Sequence, residues 1–119
     1  MRYFTFVRGA ENQGAPPAGL GQAMEKFIAK HLQDGTLVQT GGLASAAQGA
    51  RLRISKGKLT VTDGPFTEAK EMIGGYAILE APTREQAIAI GRAFMQLHID
   101  HWPQWEGESE IRAMDFVAP

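Results

Sequence analysis

Residues 72–99, MIGGYAILEAPTREQAIAIGRAFMQLHI, join a strand pattern to a helix pattern and decide the fold. Residues 72–80 are apolar at positions that face both sides of a sheet, which is typical of a central strand. Thr83 and Gln86 have the spacing of a capping box, and apolar residues then recur at three- and four-residue steps. The segment therefore predicts a central strand followed by an amphipathic helix over residues 83–99.

The same patterns extend outward on both sides of this segment. They predict a helix at residues 19–34 and strands at 2–8, 36–40, 51–55, 58–62 and 109–117. Lys56-Gly57 separates the two alternating strands of a hairpin. Without that hairpin the order is βαββαβ, so we predict an α+β, ferredoxin-like sandwich with an inserted β-hairpin. Residues 67–71 are expected to form a single helical turn or an extended bridge.

Composition excludes several classes of protein. The chain has 119 residues, no cysteine and a net charge of −1, which fits one domain over residues 1–119 without disulfides or thiolate metal sites. Near-neutral charge argues against a nucleic-acid partner, and no apolar run approaches the ~20 residues of a membrane span. The N-terminus lacks a secretory pattern, so a cytoplasmic location is expected.

Two further observations bear on partners. Apolar and aromatic residues occupy both faces of several predicted strands, so we expect the second sheet face to be covered by another copy in a two-fold homodimer. The basic residues of the hairpin are compatible with RNA binding, which is the third and least favoured function. We favour a solvated strand edge that discourages aggregation instead.

The segment Asp63-Gly64-Pro65-Phe66 follows the hairpin directly. Asp63 is expected to accept hydrogen bonds from backbone N–H groups two or three residues later, Gly64 allows a positive φ, and Pro65 fixes φ. Phe66 is then expected to anchor the turn in the core. The same residues have a functional interpretation, in which the turn lies at the rim of a ligand cleft.

Gly74 and Gly75 lie inside the predicted central strand, where they remove two side chains. Glycine within a strand accompanies either a bulge or the close approach of a ligand or another backbone. Both interpretations remain open.

The segment after the last helix carries the other candidate site. His98 and His101 are three residues apart and share a helix face if the helix extends that far. Either imidazole is a candidate general base, with Asp63 or Asp100 orienting it. With Glu106 they also form a permissive Zn or Fe set, but the pattern fixes no third ligand, so no metal and no cofactor are predicted.

Trp102 and Trp105 complete this segment, as packing residues that also suit the wall of an apolar pocket. In the alternative structural interpretation, the histidines cap the C-terminus of the helix.

Residues 61–71 and 73–76, VTDGPFTEAKE and IGGY, resemble the DGPF subgroup of the YCII-related family. The similarity extends to the opening aromatic strand, Gly41-Gly42-Leu43 and the closing HWPQWEG and EIR segments. It implies a dimeric α/β-barrel type of ferredoxin-like fold and, for some members, a link to an extracytoplasmic sigma factor. Short YCII-like members have a catalytic histidine near the start of the first helix, where this chain has Leu20 to Met24.

Two functions are therefore carried forward. The first is a small-molecule enzyme that uses acid–base chemistry in a pocket between sheet and helices. The second is a non-catalytic ligand-binding or sigma-factor-associated module. In both, the unidentified small molecule is expected to contact a shared set of residues: Gly64, Pro65, Phe66, Gly74, Gly75, Trp102, Trp105, Glu106 and Arg112.

Overall fold

A computed structural model describes residues 1–10, 12–66 and 71–119. The elements are β1 (Arg2–Ala10), α1 (Ala18–Gln33), β2 (Leu37–Gly42), a 3₁₀ turn (Ala46–Gln48), β3 (Ala50–Ser55), β4 (Lys58–Asp63), β5 (Glu71–Glu80), α2 (Arg84–His101) and β6 (Gly107–Ala113). The predicted α+β class is confirmed. Residues 67–70, which hold most of the predicted turn or bridge, lie outside the described residues.

Four strands form one sheet in the order β2-β5-β1-β6, with every pair antiparallel. This order, with one helix after β1 and another after β5, is compatible with a ferredoxin-like fold. β3 and β4 pair only with each other within the described part of the chain, in a separate two-stranded sheet.

The core lies between the sheet and α2. Tyr3, Leu37 and Leu79 are buried there with Ala81 and Ala87. The hydroxyl of Thr83 accepts a hydrogen bond from the Gln86 N–H at 3.2 Å, so the predicted cap of α2 is present.

Gly91 brings α2 close to the sheet. A methyl group at this position would lie 2.9 Å from Cδ1 of Ile111 on β6. A larger residue would therefore require the end of the Ile111 side chain to move.

Four elements differ from prediction by two residues or more at a boundary. β1 extends to Ala10 rather than ending at residue 8. α2 continues to His101, so His98 and His101 are both helical. β2 extends through Gly41 and Gly42, which pair with Tyr76 and Gly75 of β5. β6 occupies Gly107–Ala113 rather than residues 109–117, because its partner β1 offers pairing positions only from Tyr3 to Gly9.

Neither α1 nor α2 has the length and apolarity that a bilayer crossing requires, and the described residues contain no other helix that does.

Candidate functional site

A cavity of about 780 Å³ lies between the four-stranded sheet and the two helices. Its volume is within the range of small-molecule sites in proteins. The surface is mainly apolar, and no Asp, Glu, Lys or Arg is found among the described residues that line it. The described lining residues therefore enclose a hollow space, without charged side chains among them, where a second layer of core side chains would otherwise lie.

Four glycines of β2 and β5 leave room at one end of this cavity. We call Gly41, Gly42, Gly74 and Gly75 the glycine patch. Gly42 pairs with Gly75 across the two strands, on the side of the sheet that faces the helices. An added Cβ on Gly42 would meet only the Gly74 carbonyl oxygen, at 3.8 Å, and one on Gly74 would meet nothing within 4 Å. The patch thus exposes backbone to the cavity without steric need for glycine at either position.

Aromatic rings from both helices and the following turn form the opposite side, which we call the aromatic wall. Ring centroids are 5.5 Å apart for Phe27 and Phe94, 4.5 Å for His98 and Trp105, and 6.3 Å for Trp102 and Trp105. All five rings line the cavity. Contacts of this kind stabilise the wall beyond simple area burial.

Trp105 reaches the wall because two strand positions opposite it lack side chains. A methyl group on Gly107 would overlap the Trp105 ring and the Arg8 carbonyl, and one on Gly9 would lie 3.1 Å from the indole Nε1. Both glycines therefore serve close packing by the indole, a role that sequence reasoning did not assign to them.

Gln13 fixes the turn that carries Trp105. Its side-chain amide donates to the Glu106 carbonyl at 2.8 Å, and its Oε1 accepts from the Glu106 N–H at 2.6 Å. This bridge joins the segment after β1 to the segment after α2. No periodic signal marks Gln13, so its role emerges only from the folded chain.

His98 lies in the aromatic wall with only 7% of its surface exposed. Burial lowers the pKa of its imidazole, and the nearby Phe94 backbone carbonyl offsets only part of this effect. The ring is therefore neutral at pH 7. Nδ1 is enclosed and makes no hydrogen bond of good geometry with any described residue.

His101 and Asp63, the other two predicted catalytic residues, lie elsewhere. His101 is exposed, and its ring lies beside Gly19 of α1. Asp63 is exposed at the end of β4, opposite Ala50 of the hairpin. Neither is among the residues that line the cavity, so the structure does not bring them together with His98 there.

The turn at residues 63–66 is held by backbone and packing rather than by the Asp63 carboxylate. Within the described chain that carboxylate makes no hydrogen bond, so the predicted turn bond is absent. Instead the Gly64 N–H donates to the Gly49 carbonyl at 2.8 Å, and a methyl group on Gly64 would overlap the Ala46 carbonyl. Gly64 is thus required for close approach, and its φ is not positive.

Phe66 does not anchor the turn in the core as predicted, and neither it nor Pro65 is buried. Pro65 is exposed, and the half-buried Phe66 ring has the Arg51 guanidinium over it at 3.9 Å. This is cation–π geometry at the base of the hairpin.

Four further residues of the predicted ligand set line the cavity, and a fifth lies on the other face of the sheet. Gly74, Gly75, Trp102 and Trp105 line the cavity. Arg112 pairs with Glu110 and lies opposite Phe4, on the sheet face that points away from the helices.

Glu106, the remaining member of that set, has an exposed side chain and contributes only its backbone to the Gln13 bridge. In the ranges 1–10, 12–66 and 71–119, no three His, Asp or Glu side chains are grouped closely enough to hold a metal ion.

A hydroxyl pair that sequence reasoning missed lies on the sheet side of the cavity. The Oγ atoms of Thr5 on β1 and Ser109 on β6 are 2.9 Å apart, and both residues line the cavity. These residues are 104 positions apart in sequence, so only strand pairing brings them together.

Comparison with known proteins supplies a family and no activity. A family model described as the YCII-related domain matches residues 1–97. An uncharacterised protein of Rhizobium meliloti is 32% identical over 63 residues, which are 53% of this chain. The chain spans about half, 51%, of that curated relative's length.

Proposed function

The chain belongs to the YCII-related domain family, and from this premise we propose that it binds a small molecule in the cavity between the sheet and the two helices. The observation that carries the proposal is the cavity itself, about 780 Å³ in volume, bounded by the glycine patch and the aromatic wall. Protein interiors are normally close-packed, and a hollow of this size without a ligand forfeits packing energy.

We propose that His98, Trp102 and Trp105 contact the ligand from the aromatic wall, and that Gly74 and Gly75 contact it from the patch. These are the members of the predicted site that line the cavity. A neutral imidazole is able to accept a proton, so acid–base catalysis by His98 is the second candidate function. With Asp63 outside the cavity lining, we favour a ligand-binding module over acid–base catalysis, and its association with a sigma factor stays a prediction.

The test of binding uses the two tryptophans of the chain, both of which line the cavity. The neutral dye N-phenyl-1-naphthylamine is titrated into the protein, and quenching of tryptophan emission reports occupancy beside the aromatic wall. Wild-type protein is expected to show saturable quenching with a rise in dye emission.

Gly42→Leu is expected to weaken dye binding about tenfold or more, because the new side chain occupies the cavity and removes ligand contact area. Space for its Cβ is present, so the fold should survive. Gly49→Leu is the matched control, because Gly49 is outside the cavity lining, has an ordinary φ of −103°, and its nearest contact would be 3.4 Å away. Equal affinity in wild type and Gly42→Leu, or no quenching at all, would contradict the proposal.

We further propose a homodimer in which a second copy covers the outer sheet face. Phe4 lies 5.9 Å from Phe6 and 6.1 Å from Tyr76, and these half-buried rings form an aromatic cluster on that face. The hairpin carries a second apolar surface, a row of four side chains with 61–77% exposure: Leu52, Ile54, Leu59 and Val61. Apolar area of this extent marks an interaction surface, and a two-fold copy is the commonest occupant.

Light scattering at micromolar concentration is expected to give twice the chain mass of 12.9 kDa. Phe4→Glu should shift the protein to monomer, because a charge buried in an apolar interface is costly. Gln22→Glu places the same charge on the exposed side of α1 and should leave the mass unchanged. A wild-type monomer would reject this assembly.

A further inference from the structure

The charge of the ligand follows from the side chains around the cavity. None of the described lining residues is acidic or basic, and the one imidazole among them is neutral. A carboxylate or phosphate group would lose its hydration there without gaining a cation in return. The described lining residues therefore offer no charge that would compensate a bound ion of either sign.

The polar group of the ligand follows from His98. Nδ1 is enclosed within the protein, which leaves Nε2 as the nitrogen that a bound molecule can reach. In the neutral imidazole one ring nitrogen carries the proton and the other accepts. A hydroxyl is able to donate to a bare Nε2 or to accept from Nε2–H, so a ligand hydroxyl suits either tautomer of His98.

The shape of the space adds a further constraint. The glycine patch presents backbone without side chains, and the aromatic wall faces it with four aromatic rings and the His98 imidazole. The Thr5 and Ser109 hydroxyls hydrogen-bond to each other at 2.9 Å. Neither therefore needs a hydrogen bond from a ligand. The cavity therefore suits a mainly apolar body with one hydrogen-bonding group directed at His98.

We propose that the ligand is an uncharged, mainly apolar molecule with a single hydroxyl group that hydrogen-bonds to Nε2 of His98. This inference rests on the proposed binding function and specifies its ligand class. It makes His98 a specificity-determining residue whether or not a reaction follows.

Three probes with one ring system test this class: naphthalene, 2-naphthol and 2-naphthoate, each titrated by tryptophan quenching at pH 8. We expect 2-naphthol to bind about tenfold more tightly than naphthalene, the value of one good hydrogen bond. The anion 2-naphthoate should bind more weakly than naphthalene.

His98→Phe should abolish the preference for 2-naphthol while retaining affinity for naphthalene, because phenylalanine keeps an aromatic ring and removes the ring nitrogen that bonds the hydroxyl. His101→Phe is the matched control, since His101 is an exposed ring three residues later on the same helix, and it should keep the preference. If His98→Phe does not fold, the order of the three probes on wild-type protein still decides the question.

The outcomes separate this inference from the binding proposal. Tighter binding of 2-naphthoate, or a naphthol preference that survives in His98→Phe, would overturn the ligand class while the cavity remains a binding site. Equal binding of naphthalene and 2-naphthol that Gly42→Leu weakens would overturn it in the same way. If none of the probes quenches the tryptophans, both the ligand class and the proposed function fail.

Discussion

Gly107→Ala is expected to displace the Trp105 ring and to reduce the free energy of unfolding by roughly 1–3 kcal/mol. The added methyl group would overlap the indole and the backbone carbonyl of Arg8 at once. The indole can swing away, but the carbonyl belongs to β1, which pairs with β6 along its length. The strand pair and the aromatic wall are therefore both disturbed by one methyl group.

Urea unfolding measures the loss of stability, and the emission maximum of the two tryptophans measures the displacement. A red shift is expected, because an indole that leaves the cavity enters water. Gly74→Ala is the matched control: an added Cβ meets nothing within 4 Å, so emission and stability should change little. Unchanged emission and stability in Gly107→Ala would show that Trp105 does not depend on this close approach.

Leu79→Ala is expected to cost about 2–5 kcal/mol of the free energy of unfolding. Leu79 is 3% exposed on the central strand β5, in contact with the residues that form the core between sheet and α2. Removing its isopropyl group leaves a void that a strand held between two neighbouring strands has little freedom to close. For a domain with total stability of about 5–15 kcal/mol this is a large fraction.

The measurement is again a urea midpoint, read with the unfolding slope to confirm two-state behaviour. Leu32→Ala makes the same chemical change at a site on α1 that is 50% exposed, and should change the free energy by about 0.5 kcal/mol or less. Equal effects at the two positions would mean that Leu79 is not at the centre of the core.

The order of elements could be predicted because it depends on local patterns. The apolar run of β5, the cap at Thr83 and the apolar stripe of α1 each lie within a short window of sequence, and β5, α2 and α1 are all present. The end of β6 could not be predicted, because it depends on how far β1 extends beside it.

In the candidate site, too, residues that are close in sequence could be predicted, and contacts that depend on strand pairing could not. His98, Trp102 and Trp105 are close in sequence and were predicted together, and all three line the cavity. The pairing of Gly42 with Gly75 and the bond between Thr5 and Ser109 depend on strand register across the whole chain, so no local pattern reveals them. Asp63 belongs to a separate motif at the end of the hairpin, and no local pattern relates the hairpin to α2; Asp63 lies outside the cavity lining.

The separate β3–β4 sheet gives the molecule two levels of local stability. A two-stranded hairpin alone is marginal in water, and every residue of β3 and β4 is exposed in the single chain. The amide protons of the hairpin should therefore exchange with solvent through local opening. Those of β1 and β5 should exchange only through global unfolding. If a second copy covers the apolar row of the hairpin, exchange in the hairpin slows as protein concentration rises, which makes this segment a reporter of assembly within each chain.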